Sequence, residues 1–206
     1  MLRHELPGGC YLRLFEETDA EQLGRVVAAN RAHLAEWLPW AETADEDTVL
    51  GFIRRSRQQI AGNDGLQAAI VEGDAIIGVV GFLSVDQNHR STSIGYWLAR
   101  DQQGRGIMTE AVKALTRHAF DVWKLNRVEI HVAVGNRRSA AIPNASALSK
   151  KEYSDKQSDT VTRSRTSPSI RCSCTTGRAT RTNDKPLGQC NVSPPGWLVA
   201  RCSSDL

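Results

Sequence analysis

Six consecutive residues, Gln103-Gly104-Arg105-Gly106-Ile107-Met108, stand between a stretch that alternates like a strand and one spaced like a helix. Glycine lets the backbone bend where a side chain would clash. Successive backbone N–H groups can then converge at the positive end of the helix, an anion site suited to phosphate. Arg105 adds a charge. No Gly-Lys-Ser/Thr follows, so the loop is not a P-loop, and G-x-G-x-x-G is absent, so it is not a dinucleotide fingerprint. Hydroxyls and bases elsewhere could move protons. Ser139 follows Asn136 in "GNRRSAAI", and Ser93 precedes "IGYW". Glu36 sits beside Trp37, and His89 sits in the polar loop "DQNHR". His118 and His131, set among apolar residues, suit packing better.

Such a loop needs a strand ending at it and a helix leaving it. "STSIGYWLA" supplies the strand, and Met108, Ala111, Val112, Leu115 and Ala119 mark one face of the helix. Upstream, Tyr11, Leu12 and Leu14 suit a strand, and a helix carrying Leu23, Val26 and Val27 follows a cap at Thr18 or Asp19. Leu34, Trp37, Leu38 and Trp40 hold helical spacing until Pro39 stops it, and "DEDTVLGFIRRSRQQIAG" reads as a helix ending at Gly62. "LQAAIVEG" and "AIIGVVGFLSV" flank a hairpin turn at Gly73-Asp74. "RVEIHVAV" is a strand, and "NRRSAAI" opens another helix. The order β-α-α-β-β-β-α-β-α predicts a mixed α/β (α+β) fold.

Bulk numbers agree. With 206 residues, 40% hydrophobic and 24% charged, the chain has the composition of a globular protein with a sizeable core. No apolar run spans a bilayer and no signal pattern opens the chain, so no membrane partner and a cytoplasmic location are expected. The net charge of +3 is uneven: residues 144–206 carry 10 Lys/Arg against 5 Asp/Glu, while the first 143 residues hold an excess of acids. A basic tail could touch nucleic acid, but a solvated charge mix explains it better, and no nucleic-acid partner is expected. Cys10 stands alone, and Cys172, Cys174, Cys190 and Cys202 offer one C-x-C and no paired zinc spacing, so no metal site is expected.

The Gln103–Met108 loop, "IGYWL" at Ile94–Leu98, "HLAEWLPW" at His33–Trp40 and the Asn-x-x-Ser helix start together resemble the GCN5-related N-acetyltransferases (GNAT), in the branch that acetylates ribosomal-protein serine and alanine N-termini. The resemblance covers Leu12 to about Pro143; Met108 stands where the family often has a small residue, so only local repacking is expected there. The resemblance implies a twisted mixed sheet, mostly antiparallel, whose fourth and fifth strands splay around the pantetheine arm of acetyl-CoA. The backbone of Tyr96, Trp97 and Leu98 would pair with that arm, and Gln103, Gly104, Arg105, Gly106, Ile107 and Met108 would hold its pyrophosphate. Asn136 would bond the arm from the far side. Ser139 would donate a proton to the leaving thiolate; the residue could equally cap its helix. Many relatives carry Glu where this chain has Ser93, so the base is open: Ser93 holding a water, Glu36 or His89. Trp37 and Trp40 would line the acceptor groove or simply cap the sheet. The acceptor implied is a protein or peptide N-terminal amine, with a small-molecule amine or an inactive acyl-CoA-binding remnant as alternatives; a homodimer is compatible with either.

After Pro143 the family pattern stops. Residues 144–206 are rich in Ser, Thr and Arg, show neither period, and cannot bury enough to fold. The reading is an acetyltransferase domain over 1–143 without its last two strands, followed by a low-order tail. A reading-frame slip near Pro143 would explain the change. Re-read from each third codon base, Lys150–Ser158 and Thr166–Gly177 both admit family-like strand segments in the right order.

Overall fold

The computed structural model describes residues 3–133, 135–145 and 158–164, with 144–145 and 158–164 described as backbone only. One compact unit spans residues 1–165; residues 166–206 lie outside the described residues. A seven-stranded sheet runs in chain order: β1 (Arg3–Glu5), β2 (Cys10–Leu14), β3 (Leu66–Glu72), β4 (Ala75–Asp86), β5 (Ser91–Leu98), β6 (Arg127–Ala133) and β7 (Ser158–Ser164). Every neighbouring pair is antiparallel except β5–β6, which is parallel because a helix intervenes.

Four helices, α1 (Ala20–Ala29), α2 (Arg31–Ala35), α3 (Trp40–Thr43) and α4 (Glu46–Ala61), separate β2 from β3. The Leu34–Trp40 run that spacing predicts as one helix is broken into α2 and α3, with Pro39 at the break. Asp45 caps α4, accepting from Thr48 N at 2.8 Å. Helix α5 (Ile107–Asp121) makes the β5–β6 crossover, and α6 (Arg137–Ala145) follows β6. Buried Leu12, Ile70, Val80, Phe82 and Ile94 join Ala111, Val112 and Leu115 of α5 and Val128 and Ile130 of β6 in the main core. The periodicity of α5 thus buries the face that the sequence predicts.

The sequence reading ends regular structure at Pro143, but β7 pairs antiparallel with the whole of β6, from Arg127–Ser164 to Ala133–Ser158. This corrects one expected missing strand. Ladder bonds are made by backbone groups, and Thr160, Val161 and Thr162 are β-branched, so the segment suits a strand without an apolar face.

Candidate active site

The site begins where β5 leaves β6. Their pairing runs only from Ser91–Arg127 to Ser93–Glu129, although both strands continue. Beyond that point the two facing edges diverge. An irregularity lies on the other side of β5 at the same level. Its register with β4 jumps from Phe82–Ile94 to Ser84–Ser93, leaving Leu83 as an extra residue. A bulge bends the strand pair and increases its twist, and this one falls at the residue where β5 and β6 separate. Three side chains hold it. Gln67 Nε2 donates to Phe82 O at 3.0 Å, Gln59 Nε2 to Leu83 O at 2.9 Å, and Thr92 Oγ1 to Ser84 O at 2.6 Å.

At the C-terminal end of β5, the chain passes through the glycine loop into α5. Gly104 and Gly106 have φ of +78° and +79°, which L side chains rarely adopt. A Cβ added at either would meet nothing within 4 Å, so the loop faces open space and the dihedral alone demands glycine. The first N–H groups of α5 lack intrahelical acceptors by geometry. Ile107 and Met108 are buried in the core, so they can serve an anion only through their backbone. Arg105 is not a free cation here: its guanidinium pairs with Glu72 at 2.5 and 3.1 Å. Gln103 is braced from two sides. Arg138 Nη1 donates to its Oε1 at 2.9 Å, and its Nε2 lies 2.7 Å from His33 Nε2. Arg138 has no acceptor, so the Gln103 amide orientation is fixed and His33 Nε2 must be unprotonated. Burial, then Arg100, hold the His33 pKa below the usual histidine value, against the opposing pull of Glu36.

The far wall is the start of α6. Asn136 caps this helix, its Oδ1 accepting from Ser139 N at 3.1 Å. The Asn136 side-chain oxygen is therefore engaged within the helix, leaving its amide N–H groups to face outward. Ser139 is part-buried, and its Oγ makes no hydrogen bond among the described residues. Its carbonyl accepts from Tyr96 Oη at 3.0 Å, a bridge from β5 to α6. Burial pushes the Tyr96 phenol far above its ordinary pKa, so it stays a donor. Trp97 and Leu98 are buried on β5. The Trp37 ring comes within 4.0 Å of where a Gly135 Cβ would lie, which brings α2's end to the turn before α6. Trp40 opens α3, part-buried.

Ser93 is nearly buried at the last paired position of β5, opposite Glu129 of β6. On β6 the buried Val128, Ile130 and Val132 alternate with Arg127, Glu129 and His131. That alternation puts Glu129 and His131 on the face opposite α5, where Ser93 also projects. His131 is therefore not packed: its side chain is 47% exposed and lies 3.5 Å from Glu129, which also pairs with Arg127 at 2.9 Å. Glu129 is the acid–base candidate that sequence reasoning passes over; its signal is the polar phase of "RVEIHVA". Of the other base candidates, His89 is exposed and engaged by Asp86 at 2.7 Å, and Glu36 is exposed near His33. His118 packs edge-on to Trp123, as expected of a packing residue. Among the described residues no cluster of metal ligands occurs, and none of their helices is long and apolar enough to cross a membrane.

Comparison with known proteins follows the same outline. The model of the acetyltransferase (GNAT) domain matches residues 10–146. The putative ribosomal N-acetyltransferase YdaF of Bacillus subtilis is 37% identical over 134 residues, covering 64% of this chain and 73% of that protein. A solved structure of a probable acetyltransferase superposes with a TM-score of 0.74 at 29% identity, over 80% of this chain and 97% of that one. RimL, a ribosomal alpha-N-protein acetyltransferase solved with coenzyme A, shares the fold with a TM-score of 0.73 at 21% identity, over 79% of this chain and 98% of its own.

Proposed function

Because the chain belongs to the GNAT acetyltransferase family, we propose that it carries acetyl from acetyl-CoA to the N-terminal amine of a protein, of the kind found on ribosomal proteins. The observation that carries this reading is the parting of β5 and β6 after Ser93 and Glu129, directly upstream of a glycine loop at a helix start. An open strand edge offers backbone groups to an extended amide-bearing arm, as a further strand would. Tyr96, Trp97 and Leu98 supply that edge. Gly104 to Met108 present N–H groups to the pyrophosphate, with Gln103 setting the loop and Arg105 available if Glu72 releases it. Asn136 acts by capping α6, and its remaining amide N–H groups can face the arm.

For the chemistry, Ser93 holds a water and Glu129 beside it receives the amine's proton through that water. A backbone N–H of β5 beyond Ser93 faces the developing oxyanion. Ser139 Oγ donates to the departing thiolate. Trp37, next to the Gly135 turn, and Trp40 border the acceptor's approach. The test is thiol release from acetyl-CoA with a panel of N-terminal peptides and small amines. Turnover on peptides supports the reading, turnover on amines alone replaces it with a small-molecule acetyltransferase, and binding of acetyl-CoA without turnover marks an inactive remnant.

The tail belongs to the same reading. The family model's match ends at residue 146, which supports a slip of reading frame just past Pro143. Resequencing the gene across the codons for Asn136 to Lys156 should reveal a missing or extra base. An intact frame would make the tail a native part of the chain.

A further inference from the structure

Ser139 is held in a way that its helix does not explain. A helix carbonyl ordinarily accepts from the N–H four residues on. For Ser139 that residue is Pro143, which has no N–H and whose ring crowds the same carbonyl. The Ser139 carbonyl therefore has no N–H four residues on to accept from. A buried carbonyl without a hydrogen bond is costly, and Tyr96 Oη fills the vacancy from across the cleft at 3.0 Å. At the other end, Ser139 N–H is an orphan of the first turn, and Asn136 Oδ1 takes it at 3.1 Å. Both backbone groups of Ser139 are thus bonded to side chains, while its own hydroxyl makes no hydrogen bond among the described residues. Pro143 is buried, and Ala140 and Ile142 pack against the core that Tyr96 also joins, so the arrangement is enclosed.

We propose that Tyr96 and Pro143 form a coupled pair of positioning residues. Pro143 frees the Ser139 carbonyl, Tyr96 captures it, and the bond across the cleft sets where the Ser139 hydroxyl stands relative to the edge of β5. The inference rests on the acetyl-transfer reading, in which Ser139 protonates the thiolate. The coupling makes a prediction with an unusual sign. Removing the phenol oxygen alone leaves the carbonyl unbonded and Ser139 loosely placed. Removing the proline as well returns an N–H to the helix, which can bond the carbonyl again.

The experiment compares the full chain with Tyr96→Phe, Pro143→Ala and the double variant, measuring kcat, KM for acetyl-CoA, acetyl-CoA binding stoichiometry and thermal midpoint. Tyr96→Phe should lower kcat about tenfold or more while KM for acetyl-CoA stays within about twofold. Adding Pro143→Ala should restore most of that loss. The loss should also shrink with an acetyl thioester of a more acidic thiol, whose departure needs less protonation. An unchanged kcat in Tyr96→Phe overturns the inference, as does a loss that Pro143→Ala fails to restore. A Tyr96→Phe variant that loses binding stoichiometry and thermal midpoint, with kcat per bound acetyl-CoA unchanged, also overturns it, because the bond is then structural only. A wild-type chain that binds but never transfers acetyl fails the proposed function first and takes this inference with it.

Discussion

The two seams of β5 are built differently. Its seam with β4 runs the length of the strand, from Asp86–Ser91 to Gly78–Leu98, and is fastened by Gln59, Gln67 and Thr92 at its one irregularity. Its seam with β6 ends at Ser93–Glu129. Stability is concentrated on the first seam, and open polar backbone on the second. A sheet that paired equally on both sides would leave no open strand edge. One that paired weakly on both could not keep its edges in place.

Ways to break this contrast order themselves by size. Gly106→Val should do most, because a β-branched residue at φ +79° costs ~1–3 kcal/mol of strain at the very turn that aims the loop. KM for acetyl-CoA should rise by one to two orders of magnitude, read by initial rates across acetyl-CoA concentration. Ser139→Ala acts on the far side of the open seam. It should lower kcat about tenfold to a hundredfold with little change in KM, and less with an acidic-thiol donor. Glu129→Gln should lower kcat severalfold with acetyl-CoA binding retained, because in the proposed reading Glu129 receives the amine's proton.

Smaller effects sharpen the same picture. His33 accepts from Gln103 only when Nε2 is unprotonated. Its folded pKa lies below the ordinary histidine value, so the folded state binds the proton less readily than the unfolded chain. Its stabilising contact is therefore complete above the ordinary value and lost as pH falls through the lowered one. Thermal midpoints measured between about pH 7 and pH 5 should fall more in wild type than in His33→Gln. Asp19→Asn should change turnover least. Asp19 takes bonds from Arg13 at 2.6 and 2.7 Å and from Glu16 N at 2.8 Å, on the closed side of the sheet. Those bonds outweigh burial and depress its pKa. Its stabilisation is thus present above the usual carboxylate range and lost as pH falls through the depressed value, so the variant should melt several degrees lower at neutral pH with kcat unchanged.

Much of this was legible in the residues. Apolar runs flanking the Gly73-Asp74 turn gave β3 and β4, the 3.6-residue period gave α5, and glycines marked the loop that joins β5 to it. The bulge at Leu83 was not legible, because "GFLSV" is apolar or small throughout and carries no local mark of an extra residue. The Tyr96–Pro143 relation could not be read either, since it needs α6 to lie across the cleft from β5. Glu129 was passed over because a strand's polar phase usually means solvent, and His131 was assigned to packing for want of the register. The β7 strand was missed because composition argued against a core there, while backbone pairing asks for none.

The extra residue at position 83 also changes parity. Phe82 and Ser84 stand two apart on β4 and would share a face in a regular strand. Across the bulge they oppose Ile94 and Ser93, which are adjacent and point to opposite faces. One inserted residue therefore lets the strand send Phe82 into the core and hand its next position to the side where Ser93 and Glu129 meet. Deleting Leu83 would do more than straighten a strand. It would force the hairpin to choose between burying its apolar half and facing its hydroxyls toward the cleft.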